Sequence, residues 1–274
     1  DHQLTGLDVV RDGDVVGRVI RVDHFPAQDL LVVRPVHGEE EILVLPLSGG
    51  CTVEVDGKSI TLDGRPEVWT ANTDYLYVPR RTTITVRSED GGRFALPGSK
   101  ATTDKPLRHC PVTEVGTGLR GTGNCSRQVN NYALGNAVET SHLLVCEVLT
   151  PGGNWSSYPP HKHDEHTDVE RVLEEIYYYE VRPGRGDTTG MALQRIYPSP
   201  AGDIDVCAEV HSGDVVIMPH GYHGPSVAAP GYDLYSPNGM VGPAEDSTWR
   251  MPDDPHHTGS RDTWDDSPVD PRLP

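Results

Sequence analysis

Val53-Glu54-Val55-Asp56-Gly57-Lys58-Ser59-Ile60-Thr61-Leu62 decides the fold class of this chain. Val53 and Val55 alternate with polar residues, Asp56-Gly57 is a favoured two-residue type I′ hairpin turn, and Ile60 and Leu62 resume the alternation on the far side. The theme recurs in Leu143 to Leu149, Ile176 to Val181, Met191 to Tyr197 and Val215 to Met218, while helical periodicity is nearly absent. The pattern predicts an all-β protein of short strands joined by turns.

At 274 residues the chain is long enough for two small domains or one large β assembly. No apolar stretch reaches the length needed to cross a bilayer. A formal net charge of −18 argues against a broad basic face, so neither nucleic acid nor an anionic membrane is an expected partner. A small anionic substrate remains compatible, provided a local cluster of Arg or Lys and a bound cation oppose the general field. The five cysteines, odd in number and without a Cys-x-x-Cys pair, predict reduced thiols and a cytoplasmic setting. No secretory leader is expected ahead of the first strand-like segment.

The two halves follow one plan. Glu41-Ile42-Leu43-Val44-Leu45 matches Glu175-Ile176-Tyr177-Tyr178-Tyr179, and Tyr77-Val78-Pro79-Arg80-Arg81-Thr82-Thr83 matches Ile217-Met218-Pro219-His220-Gly221-Tyr222-His223. The expected organisation is a barrel over residues 1–115, an irregular connecting segment over 116–140, a second barrel over 141–245, and an acidic, Pro-rich tail over 246–274 lying on the surface.

His161-Lys162-His163 carries the chemistry. On a strand the two imidazoles project side by side and Lys162 points the other way. With Glu175 opening the next strand-like run and His223 closing the run from Gly213, the set offers the imidazole and carboxylate shell of a catalytic divalent ion such as Zn, Mn, Fe, Co or Ni. A chance His-x-His is the competing reading in a chain with 13 histidines. Against it, the pair follows Pro159-Pro160, and Glu175 and His223 each bound a β-like run. His166 falls in the charged run Asp164 to Asp168 and reads as solvated loop, while His211 and His220 read as bystanders. The first half lacks the set: Thr83 stands in the place of His223, and only His37 precedes Glu41.

Longer runs carry a resemblance. They are Cys125-Ser126-Arg127-Gln128-Val129-Asn130-Asn131, Leu149 through Glu165 with its Pro159-Pro160-His161-Lys162-His163, Leu173 through Tyr179, Ala192-Leu193-Gln194-Arg195, and Ala229 through Tyr235. From roughly Glu39 to Pro243 the chain resembles the cupins, and specifically the bicupins of the 5-deoxy-glucuronate isomerase family of bacterial inositol catabolism. The resemblance implies two jelly-roll barrels and one divalent metal, with Zn, Mn or Fe foremost, held by His161, His163, Glu175 and His223. It favours Glu175 over Glu174 because the family's ligand directly precedes an aliphatic-aromatic strand, and His223 over His220. Three features depart from the general cupin pattern or the expected strand: the loop from Asp164 to Glu174 intervenes before the carboxylate, Gly221-Tyr222-His223 has one spacer fewer, and Tyr235-Ser236-Pro237-Asn238-Gly239-Met240 replaces a more apolar run; the first two resemble the isomerase family.

The implied activity is an aldose–ketose isomerisation of 5-deoxy-D-glucuronate to 5-dehydro-2-deoxy-D-gluconate, with a small sugar acid as partner and a homo-oligomer compatible with the family. Tyr177 and Tyr179 share the strand parity of Glu175 and are the candidate catalytic residues, core packing being the alternative. Arg127, Gln128, Lys162 and Arg195 are the candidate substrate contacts, since a planar guanidinium binds carboxylate through two hydrogen bonds. For Lys162 a solvent or interface role competes, and for Arg195 a structural ion pair. The rival functions are an Fe(II)-dependent cupin oxygenase, distinguished by oxygen consumption, and a non-enzymatic sugar-binding cupin, distinguished by lack of turnover.

Overall fold

The computed structural model describes the backbone of residues 8–11, 14–25 and 28–35, and in full residues 38–134, 138–246 and 248–274. His37 lies outside the described residues. Apart from three short 3₁₀ turns, every regular element among them is a strand, and no helix is long and apolar enough to cross a membrane. The chain divides into two compact units, one of residues 1–115 with 137–143 and one of residues 116–136 with 144–274.

In the first unit the strand Glu40–Val55 pairs with Lys58–Arg65 through the expected hairpin. Asp56 and Gly57 adopt φ of 48° and 75°, the doubly left-handed turn whose twist matches the flanking strands. Val44, Val53, Leu62, Leu76 and Val78 form the core on one face of these strands.

The register corrects the alignment of the two halves. Ile42 pairs with Val78, whereas Glu175 pairs with Met218. Since Val78-Pro79 corresponds to Met218-Pro219, the counterpart of Glu175 is Ile42 and not Glu41. A one-residue slip moves a side chain to the opposite face, and Glu41 does face away from the apolar cluster. Its buried carboxylate accepts the Tyr77 hydroxyl at 2.6 Å, the Ser99 hydroxyl at 3.2 Å, and the backbone N–H groups of Ser141, His142 and Leu143 at 2.6, 2.7 and 2.8 Å. Glu41 thus anchors the segment Ser141 to Leu143. Glu41→Gln turns an amide N–H₂ toward these donors, and is expected to destabilise the first unit by about 1–3 kcal/mol. Hydrogen exchange at Leu43 and Tyr77 would register the change, and unaltered protection would remove the anchoring role.

The second unit is a pair of facing sheets. The larger runs in the order Gly116–Arg120, Arg127–Ala133, Leu144–Thr150, Leu234–Val241, Glu174–Tyr178, Val215–Met218; the smaller runs Trp155–Ser156, Tyr222–Ala228, Ala192–Tyr197, Val206–Val210. Tyr177, Tyr179, Ile196, Met218, Ala228 and Leu234 fill the space between them. Residues 116–133, expected as an irregular connection, instead supply the edge strand Gly116–Arg120 of the larger sheet and its inner neighbour Arg127–Ala133. Their polarity has a physical cause: Gln128 Nε2 and Thr117 Oγ1 donate to Asn130 Oδ1, and Asn130 and Tyr132 donate to Glu147, so one face of these strands is satisfied by hydrogen bonds rather than apolar packing. The tail packs along this unit as well: Lys162 N–H donates to Pro252 O, Asp254 N–H to Pro160 O, and Asn154 Nδ2 to Asp270.

Candidate metal centre

His161 and His223 form an antiparallel bridge, exchanging N–H···O bonds of 3.2 and 2.9 Å. That backbone pairing sets their rings side by side, with centroids 4.4 Å apart; residues 161–163 belong to no strand, yet the alternation expected of one still brings His163 to 4.6 Å from His223. Gly221 makes the approach possible. It turns at φ 98°, and a Cβ there would stand 2.6 Å from Ile204 Cγ2 and 2.7 Å from the Tyr197 carbonyl.

The loop after His163 does not separate Glu175 from the histidines, because its ends are pinned: Leu173 N–H donates to His163 O at 2.9 Å, and His163 Nδ1–H to Leu173 O at 2.8 Å. Glu175 Oε2 then lies 3.0 Å from His163 Nε2 and 3.1 Å from His223 Nε2, while Asn238 Nδ2 donates to Oε1 at 3.1 Å. All four side chains are buried.

The donor set fits a divalent ion. The ligand atoms of His161, His163 and His223 lie within 4.8 Å of one another, a grouping Glu175 flanks. His163 and His223 spend Nδ1 on the carbonyls of Leu173 and Gly221, which can only accept, so Nε2 is the nitrogen each turns inward. The buried Nε2 of His161 has no hydrogen-bond partner among the described residues, and those of His163 and His223 face the Glu175 carboxylate, a state expected of metal ligands and costly otherwise. Burial, with His223 and His163 beside it, holds His161 well below the ordinary imidazole range. Burial alone would raise Glu175, but the imidazoles of His163 and His223 against its Oε2 outweigh it and keep the carboxyl ionised.

Strand register places the other candidates. Arg127, Val129 and Asn131 share the face of Cys146 and Asn238, hence of Tyr177 and Glu175. The Arg127 guanidinium donates through Nη1 to Cys125 O at 3.2 Å and Tyr158 O at 3.4 Å and has no carboxylate partner among the described residues. Burial lowers it to about 10, still a cation at neutral pH. Tyr177 is buried with its hydroxyl 3.3 Å from Ser157 Oγ, and burial with the Glu175 charge pushes it well above the usual phenol range. Tyr179 is committed to the core, donating to Gln194 Oε1 at 2.8 Å.

Three expected substrate contacts do not reach the cluster. Gln128 lies on the opposite face, bound to Asn130. Arg195 alternates away from buried Gln194 and pairs with Asp205. Lys162 also points away, its ammonium enclosed by Asp164, Glu165 and Glu170. Sequence reading missed Asn238, Gln194 and Ser157. The first two had a signal in period two: Gln194 falls between the apolar positions Ala192 and Ile196, and Asn238 between Ser236 and Met240.

Residues 21–259 match the model of the KduI/IolB family. The chain belongs to that family. Among KduI/IolB relatives, 5-deoxy-glucuronate isomerase of Geobacillus thermodenitrificans (strain NG80-2) is 41% identical over 183 residues, which cover 66% of this chain and 64% of that protein. The namesake from Shouchella clausii (strain KSM-K16) is 32% identical over 259 residues, 92% of each chain. A solved IolB-like protein from Salmonella typhimurium LT2 superposes with a TM-score of 0.74 at 30% identity, covering 82% of this chain and 83% of that one. Oxalate decarboxylase of Bacillus subtilis, a protein described with Mn(II) centres, superposes with a TM-score of 0.51 at 12% identity, covering 79% of this chain and 66% of that one. That likeness concerns fold alone, and it agrees with an all-β bicupin of two jelly-roll units.

Proposed function

We propose that this KduI/IolB member is a metal-dependent aldose–ketose isomerase that converts 5-deoxy-D-glucuronate to 5-dehydro-2-deoxy-D-gluconate. The observation that carries the reading is one buried face that holds the His161, His163, His223 and Glu175 cluster together with an Arg127 guanidinium lacking a carboxylate partner among the described residues. A cation cluster beside an anion receptor suits a sugar acid bound at both ends. His161, His163, His223 and Glu175 would hold one divalent ion, with Zn, Mn or Fe foremost, and the ion when bound supplies Lewis-acid polarisation of the sugar carbonyl. Arg127 binds the carboxylate through the N–H groups its two carbonyl contacts leave over. Tyr177 holds its proton and offers it to a substrate oxygen, whereas Tyr179 supports the wall through Gln194.

The isomerase reading is tested by anaerobic assay of protein reconstituted with each divalent ion in turn. Turnover without oxygen is expected, and in D₂O a base-mediated proton transfer places deuterium at C1 of the ketose. Oxygen-dependent turnover would replace this reading with the Fe(II) oxygenase, and saturable binding without turnover with the sugar-binding cupin.

A further inference from the structure

Beside Arg127 the second unit holds a cavity of ≈ 290 Å³ that no residue of the metal cluster lines. Its walls are aromatic and hydroxylic: Trp155, Tyr158 and Trp264 present rings, and Asn124, Thr263 and Ser267 present polar side chains. No carboxylate lines it among the described residues. Trp155 and Tyr158 stand edge to face with centroids 5.5 Å apart, and the Arg261 guanidinium lies 4.7 Å from the centroid of Trp264. The two carbonyls that accept from Arg127 belong to Cys125 and Tyr158, both of which line this cavity. Ser157, next along the chain, meets Tyr177 on the metal-facing side. The cavity and the cluster are thus joined through Arg127 and the Ser157-Tyr158 backbone. One wall comes from the C-terminal tail, whose Thr258–Thr263 turn is followed by Trp264.

The volume lies at the lower end of small-molecule sites, about 300 Å³, which suits one monosaccharide rather than a chain of them. Aromatic faces favour the C–H surface of a sugar, the hydroxyl and amide groups suit its oxygens, and the neighbouring Arg127 guanidinium suits an anion, Arg261 being paired with Asp253. A 5-deoxy sugar acid presents that combination at one end: an apolar C5 methylene next to the carboxylate. We propose that the Trp155–Tyr158–Trp264 cavity is the subsite for the carboxylate-bearing end of the sugar acid, with the aromatic rings against the C5 methylene and Arg127 held behind the wall by the carbonyls of Cys125 and Tyr158. The subsite rests on the isomerase reading for its ligand, and it makes the tail a determinant of specificity: a hydroxyl at C5, as in D-glucuronate, loses its water against the rings.

The test uses the full-length metal-loaded protein and the variants Trp264→Ala, Trp155→Ala and Trp264→Phe. The alanine variants are expected to raise KM for 5-deoxy-D-glucuronate by about tenfold and to reduce the preference over D-glucuronate by a similar factor, the range that apolar contacts supply. Metal content and kcat should stay within about twofold, and Trp264→Phe should restore most of the loss. Unchanged KM and preference in both alanine variants, with wild-type turnover intact, would overturn the subsite and leave the isomerase standing. Calorimetry with 5-deoxy-D-glucuronate separates the opposite case: binding by wild-type protein that Trp264→Ala weakens, without turnover by either, would support the subsite and remove the isomerase. A loss of self-association in Trp264→Ala with KM unchanged would assign the wall to contact between copies and overturn the proposal.

Discussion

His163→Ala and Glu175→Gln are each expected to lower turnover by at least about a hundredfold, more than the tenfold to hundredfold typical for residues that merely support a ligand. Bound metal, measured by elemental analysis, should fall below one ion per chain in both. The fold should survive, because the apolar core of the second unit, with Tyr179, Ile196, Met218 and Leu234, lies between its sheets and does not depend on the ion. Thr83→Ala supplies the control. Thr83 is exposed, and its substitution should leave metal content and turnover unchanged. Full activity in His163→Ala would disprove the ligand set, while unfolding of the metal-depleted protein would show an ion that holds the fold together.

The parts of this site legible in the sequence are those fixed by neighbours in the chain. Asp56-Gly57 specifies its turn through two positive φ angles, and alternation alone puts His161 and His163 on one face with Lys162 on the other. Register between distant strands is another matter. Glu41 and Glu175 open similar sequences, yet the pairing of Ile42 with Val78 and of Glu175 with Met218 places the two carboxylates on opposite faces of their strands. Arg127–Ala133 was unreadable as a strand because polar residues occupy its positions on both faces, the outer ones satisfied by Glu147 and Asn130. A motif quoted as a run, such as Gln194-Arg195, likewise does not say which member faces the cavity. The bulge between Gln194 and Ile196 and the pairing of Gln194 with Ser226 decide it.

Lys162→Met is expected to destabilise the second unit by about 3–5 kcal/mol, the cost of leaving buried charge without its partner. The ammonium lies 2.9 Å from Asp164 Oδ1 and 2.9 Å from both oxygens of Glu170, and the side chains of all three residues are no more than 5% exposed. Glu170 Oε1 also takes the backbone N–H groups of Asp164 and Glu165, closing the loop, and Asp164 Oδ2 takes the Gly221 N–H at 2.8 Å, on the turn that carries His223. One buried lysine therefore ties the His161 to His163 segment to the third histidine's turn. Burial opposes ionisation of Asp164, but Ser199, Lys162 and the Gly221 N–H together hold it below its ordinary value. A carboxyl depressed in the folded state contributes stability above its unfolded pKa and loses it as pH falls through the folded one, so the contribution is present at neutral pH and disappears in acid. The deficit of Lys162→Met should accordingly be largest near neutral pH and shrink below about pH 4, where carboxyl groups neutralise. Glu165→Gln is the matched control: its side chain is 48% exposed, and losing that contact should cost no more than about 1 kcal/mol. Denaturant midpoints measured at both pH values would decide the matter, and a Lys162→Met deficit that is small, or the same in acid as at neutral pH, would mean that packing rather than charge holds this network together.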